Sequence, residues 1–212
     1  MKRCLLISLC ILAFVIGISH AEQIVAKKAG VGDTFTTIES VWNRGYKKEV
    51  PMGDGSKTVT IGFDKGSAFS YTTGLLGYAF GNSERAGRLE GNAKGLFGAV
   101  IGVNPTKQQF FQGIKDLMPT DFALIGAYVN KNDPLRHWKK EIYTFKSKKL
   151  SQLQGISEAF PYKQYKYTLG NFTLIINYDI DNEDKVANFL LFLGLSDSNI
   201  EDMKKIDANP FK

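Results

Sequence analysis

The N-terminal leader constrains this chain more than any other stretch. Lys2 and Arg3 precede an apolar-to-small run from Cys4 to Ser19, and Ser19-His20-Ala21 supplies small residues at the two positions a signal peptidase reads. The run is shorter than the roughly 20 residues that cross a bilayer as a helix, and Gly17, Ser19 and His20 break its far end. The pattern predicts a signal peptide over residues 1–21, cleaved after Ala21, and a secreted or periplasmic product. An uncleaved anchor is the competing expectation. A lipoprotein signal is not, because Cys4 follows Arg3 and Cys10 follows Leu9, and neither is small.

Cleavage would remove both cysteines and His20, leaving His137 as the sole histidine, and loss of Lys2 and Arg3 would lower the formal charge from +6 to +4. An exported domain without disulfides fits a bacterial envelope or secreted protein whose core is large enough to stand alone. Thiol nucleophiles, disulfide exchange and thiolate-held zinc are then excluded, as is any site needing two histidines. A Ser-His-Asp arrangement would have to use His137 as its base. That residue sits in Leu135-Arg136-His137-Trp138-Lys139-Lys140, among cations that disfavour an imidazolium, and no Gly-x-Ser-x-Gly elbow supplies a nucleophile. The acidic turn Asp179 to Asp184 fails as an EF-hand, having Asp184 where glycine belongs and Leu190 where a bidentate glutamate belongs. No phosphate-binding glycine motif and no cofactor signature is present.

Periodicity predicts an α+β chain: a helix packed on an antiparallel β-meander, or two diverged helix-plus-sheet units in tandem. Residues 22–103 read as an N-terminal helix-plus-hairpin region with a Gly-rich insert, and residues 104–212 as a helix plus antiparallel sheet. In the first, Thr36 and Glu39 have capping-box spacing, with Phe35, Ile38, Val41 and Trp42 on one helical face. Strands follow at Lys48 to Val50 and Lys57 to Phe63, about an Asp54-Gly55 turn. Asp64 to Val103 reads as a glycine-rich loop or extended insert. A rival reading makes residues 87–103 a membrane-touching helix that exposes Leu96, Phe97, Val100 and Ile101.

In the second region, Asn104 as cap and Pro105 as first residue open a helix whose apolar stripe is Phe110, Phe111, Ile114, Leu117 and Met118. Strands are expected at Phe122 to Val129, Trp138 to Phe145, Tyr162 to Leu169, Phe172 to Tyr178 and Val186 to Leu193. Gly170-Asn171 would join the third and fourth of these as a hairpin, and Ser198 with Glu201 would open a C-terminal helix.

The most distinctive surface signal is basic and aromatic. Arg136, Trp138, Lys140, Lys146, Lys148, Lys163 and Lys166 crowd two predicted strands and their exits. Such a surface could hold an acidic protein, an anionic surface or another polyanion, whereas edge lysines that merely discourage aggregation are the ordinary explanation. Taken together, the residues point to an exported, non-catalytic binding or envelope-associated protein with a protein or envelope partner. No cofactor is needed and no nucleic acid is expected. A secreted hydrolase using paired carboxylates and a membrane-active protein working through residues 87–103 are the alternatives.

Overall fold

The computed structural model describes residues 25–42, 47–51, 57–63, 67–73, 85–97, 103–130, 138–153, 165–166, 170–179, 185–196 and 210–211. The expected signal peptide, the Asp54-Gly55 turn, the Asp181 to Asp184 turn and the C-terminal helix lie outside those residues, as do Val100, Ile101, Arg136, His137 and Lys163.

Alternating apolar and polar residues make this chain a sheet protein. Strands β1 (Lys47–Pro51), β2 (Lys57–Phe63), β3 (Ser67–Thr73), β4 (Arg88–Asn92), β5 (Ala123–Asn130), β6 (Trp138–Lys146), β8 (Asn171–Asp179) and β9 (Val186–Leu193) form one eight-stranded sheet in the order β1-β2-β3-β4-β9-β8-β6-β5. Every neighbouring pair in it is antiparallel. Two short strands, β7 (Tyr165–Lys166) and β10 (Leu195–Ser196), pair separately. Helices α1 (Phe35–Val41), α2 (Ala93–Phe97), α3 (Lys107–Ile114) and α4 (Lys148–Ser151) complete the α+β fold.

Because the side-chain period of a strand is two, one face collects the core. Leu89, Leu191, Leu174, Tyr143 and Ala127 run in register across β4, β9, β8, β6 and β5, all buried. Phe110 and Phe111 of α3 close over that row: Phe110 lies 5.2 Å from the Phe189 ring and Phe111 5.4 Å from Tyr143. Phe97 of α2 packs edge-on against Phe110 at 5.3 Å. Each such fully buried side chain contributes about 1.5–3 kcal/mol. Ile38 of α1, Leu150 of α4 and Phe211 join the same cluster.

The sheet order reads the same from both ends because the chain repeats itself. A capped helix precedes a four-stranded meander twice, as α1-β1-β2-β3-β4 and as α3-β5-β6-β8-β9, and the two last strands meet at the centre. Local contacts repeat too. Thr34 caps α1 and bridges to Arg85 just before β4, while Thr106 caps α3 and bridges to Lys185 just before β9. The residue ahead of each cap accepts one further bond: Ala86 N donates to Asp33 O and Val186 N to Pro105 O, both at 2.9 Å. One continuous sheet therefore spans residues on both sides of position 103.

Several expectations need correction. Both helices start elsewhere than predicted. Thr34 rather than Thr36 caps α1, accepting from Thr37 N at 3.3 Å. Thr106 rather than Asn104 caps α3, because its hydroxyl accepts from Gln109 N while Gln109 Oε1 accepts from Thr106 N, a closed capping box that outbids the Asn-Pro signal. Replacing Thr106 with alanine should cost about 1 kcal/mol in a urea titration, with serine restoring most of it. The Gly-rich insert is extended against the main sheet rather than a loop, holding its strands β3 and β4, since glycine in a strand interior weakens pairing without forbidding it. Residues 88–92 are thus strand rather than part of a helix, and Phe97 packs inward on Phe110 and Phe189.

The Gly170-Asn171 hairpin does not form either. β8 pairs with β6 and β9, while β7 pairs with β10. Gly170, at φ 89°, instead gives its carbonyl to Ser147 N at 2.8 Å; a β-carbon there would stand 2.4 Å from Ser147 O.

Candidate functional site

One end of the molecule gathers cations from two segments of the chain, and the aspartates Asp33, Asp116 and Asp121 hold it. Asp33 organises the first segment. Its carboxylate, almost wholly buried, accepts from Val25 N at 2.6 Å, Gly30 N at 2.8 Å and Ala26 N at 3.1 Å. Burial pushes this carboxyl above its ordinary value, against the three amides and the Arg85 charge that pull it down. The clamp turns the chain so that Lys27 and Lys28 stand at its apex, with side chains 70% and 59% exposed.

Asp116 anchors that apex to the second segment. Lys28 Nζ lies 2.9 Å and Lys27 Nζ 3.3 Å from its two oxygens, and Lys28 N donates to its carbonyl at 2.8 Å. The hydrogen bond from Lys28, helped by Lys27, holds the Asp116 carboxyl below its ordinary value. Thr120 N to Val25 O at 3.0 Å and the Ala26–Pro119 bridge fix the same two segments together.

Asp121 brings in the third. Its oxygens accept from Ser147 Oγ at 2.5 Å and Lys149 N at 2.9 Å, and Lys149 Nζ reaches Thr120 Oγ1 at 2.5 Å. Burial alone would raise this carboxyl, but the Ser147 hydroxyl and the amides outweigh it and lower it. Lys146 and Lys148 flank Ser147, both exposed. Lys27 and Lys28 at Asp116 and Lys149 at Asp121, with Lys146 and Lys148 close to it along the chain, therefore share the stretch after α3.

Only part of the predicted basic surface is assembled here. Lys146 and Lys148 belong to this end. Lys166 lies opposite Leu195 at the same end of the sheet, where Gly194 N donates to Asn171 O and Asn171 pairs with Lys146. Lys140 stands six residues before Lys146 on β6, about 20 Å away at strand rise, opposite Asn130 and Asn177. Trp138 is farther still, opposite Asp179. Lys27 and Lys28 were missed by sequence reasoning. Their signal was a dibasic pair ahead of a glycine and a helix cap, too short to weigh until the fold placed it beside Lys149.

A second cluster is chemically conspicuous and lies inside. Glu141 on β6 is buried, and its carboxylate accepts from Tyr143 OH at 2.6 Å, Tyr178 OH at 2.7 Å and Lys107 Nζ at 2.7 Å. Lys107 also sits 3.9 Å above the Tyr178 ring. Burial alone would raise the Glu141 carboxyl, yet the ammonium and the two phenols together hold it below its ordinary value. Burial and then the carboxylate push the Tyr143 phenol far above its usual range. Both carboxylate oxygens are occupied by protein donors, so the cluster ties the first turn of α3 to the sheet. Among the described residues, no three His, Cys, Asp or Glu side chains gather as metal ligands would, and no helix is long and apolar enough to cross a membrane.

Comparison with family models, curated proteins and solved structures gives no match to this chain. The reading of the site therefore rests on its own chemistry.

Proposed function

We propose that this is an exported, non-catalytic binding protein that engages an acidic protein partner of the cell envelope through its lysine-rich end. One observation carries the reading: lysines from two separate segments, 27–28 and 146–149, converge where Asp116 and Asp121 of a third fix the backbone, leaving Lys27 and Lys28 largely in solvent. A surface of that sign steers acidic partners and sets orientation more than it adds raw affinity. The leader argues for export, and the saturated environment of Glu141 argues for a structural use of the most deeply placed carboxylate on β6.

Binding to immobilised poly-L-glutamate, with phosphatidylglycerol vesicles as the lipid arm, tests this. The wild-type chain should bind the polypeptide at low salt and release as salt rises. Lys27→Glu, Lys28→Glu and Lys148→Glu combined should weaken binding at least about tenfold, if each inverted contact is worth about 0.5 kcal/mol. Equal retention of wild type and variant would refute the reading. Preference for vesicles over polypeptide would replace the protein partner with a lipid surface.

A further inference from the structure

We propose that two copies of this chain pair antiparallel through the free edge of β5. The two edges of the sheet are built differently. At one edge, β1 carries Lys47, Lys48, Glu49 and Pro51, all exposed, which is how an edge strand is blocked against further pairing. At the other, β5 reads Ala-Leu-Ile-Gly-Ala-Tyr-Val-Asn, without a charge or a proline, over eight residues. Among the described residues, its only neighbour in the sheet is β6. Its pairing with β6 is regular from Gly126 to Asn130, the irregularity being confined to the Leu124/Gly126 step. Ile125 at that step is 45% exposed, a large apolar side chain left in water on an edge.

The occupant that fits is a second β5. A strand with no side chain charged at neutral pH brings no like charges together when it meets its own copy, and an antiparallel pair about a two-fold axis satisfies the same backbone groups on both chains. Centred between Gly126 and Ala127, the pairing sets Ala123 opposite Asn130 and Ile125 opposite Tyr128. The assembly also closes. The widened sheet ends on β1 at both sides, where the lysines, Glu49 and Pro51 prevent a third copy from adding. A partner strand rich in charge would gain nothing from an edge that offers it no counter-charge. This pairing does not depend on the lysine-rich end, which lies on other residues.

Sedimentation equilibrium and amide hydrogen exchange on the purified chain test it together. The expected result is a dimer in which β5 amides are protected at least about tenfold more at high than at low protein concentration, while β1 amides are unchanged. Ile125→Lys, at an exposed position, should raise the dimer Kd about tenfold or more with circular dichroism intact. A monomer at every concentration overturns the proposal, and so does a dimer whose β5 exchange ignores concentration. Because the exchange measurement uses the wild-type chain, it decides the matter even where the variant folds poorly.

Discussion

Replacing Glu141 with alanine should destabilise the fold by about 3–5 kcal/mol, the range for removing one partner of a buried ionic cluster. The loss is large because three donors depend on this one carboxylate. Without it, the Lys107 ammonium and the hydroxyls of Tyr143 and Tyr178 lose the anionic acceptor they share. Glu141→Gln keeps the shape and one good acceptor, so it should cost less than half as much. Urea denaturation at neutral pH measures both, and a loss under about 1 kcal/mol for the alanine variant would show that the cluster is not a tie at all.

The same cluster sets an acid response. The folded Glu141 carboxyl lies below its ordinary value. Its contribution is therefore fully present above the unfolded value and is lost as pH falls through the lower folded one. Asp116 and Asp121, also lowered, act in the same direction. Asp33 acts oppositely: its raised carboxyl is easier to protonate in the folded chain, so acid relieves a burial cost there. Three groups against one predict a net loss of stability on acidification below about pH 4.5, shallower in Glu141→Gln than in the wild type. A pH series of urea midpoints reads this directly. Parallel curves for the two proteins would remove Glu141 from the account.

What the sequence disclosed about the fold follows from how strongly each element is patterned. Val186 to Leu193 was legible to the residue because five apolar side chains run from Phe189 to Leu193 without a break before Gly194. The α3 stripe was legible because Phe110, Phe111 and Ile114 fall on one side of the helix and all three are buried. β3 and β4 were not, since Ser-Ala-Phe-Ser-Tyr-Thr-Thr and Arg-Leu-Glu-Gly-Asn carry few apolar residues and sit among glycines that read as loop. Their strand identity comes from non-local pairing: Phe69 lies opposite Leu89, and Leu89 opposite Leu191, more than a hundred residues on. No local window contains that information.

The site was half legible for a related reason. Lys146 and Lys148 advertise themselves as a run, whereas Lys27 and Lys28 join them only through Asp116, Pro119 and Asp121, contacts that depend on how α3 ends. Lys140, in the same run by sequence, is carried to the far end because a strand advances about 3.3 Å at each residue. Density of charge along the chain is thus a poor guide to density in space where the chain is extended.

Phe145→Ala is the other change expected to cost about 3–5 kcal/mol, the range for emptying a buried aromatic position. Phe145 is wholly buried on β6 and stacks on Phe172 of β8, with ring centroids 4.9 Å apart and planes at 19°. It also meets Phe211 edge-on at 5.1 Å and Phe122 at 5.7 Å. Phe211 in turn packs 4.8 Å from Phe111 of α3. One ring thus links the sheet, the turn after α3 and the C-terminal stretch, and none of those neighbours can close the space without breaking its own contacts. Phe145→Leu refills most of the volume and should lose only about 1–2 kcal/mol, within the range of smaller core changes. The turn after α3 also carries Asp121, so the alanine variant should loosen the lysine-rich end as well as the core. Exchange of the Lys149 amide, which donates to Asp121, reports this separately from global stability. If that amide exchanges no faster in Phe145→Ala than the shift in global stability requires, the core and the binding end are independent.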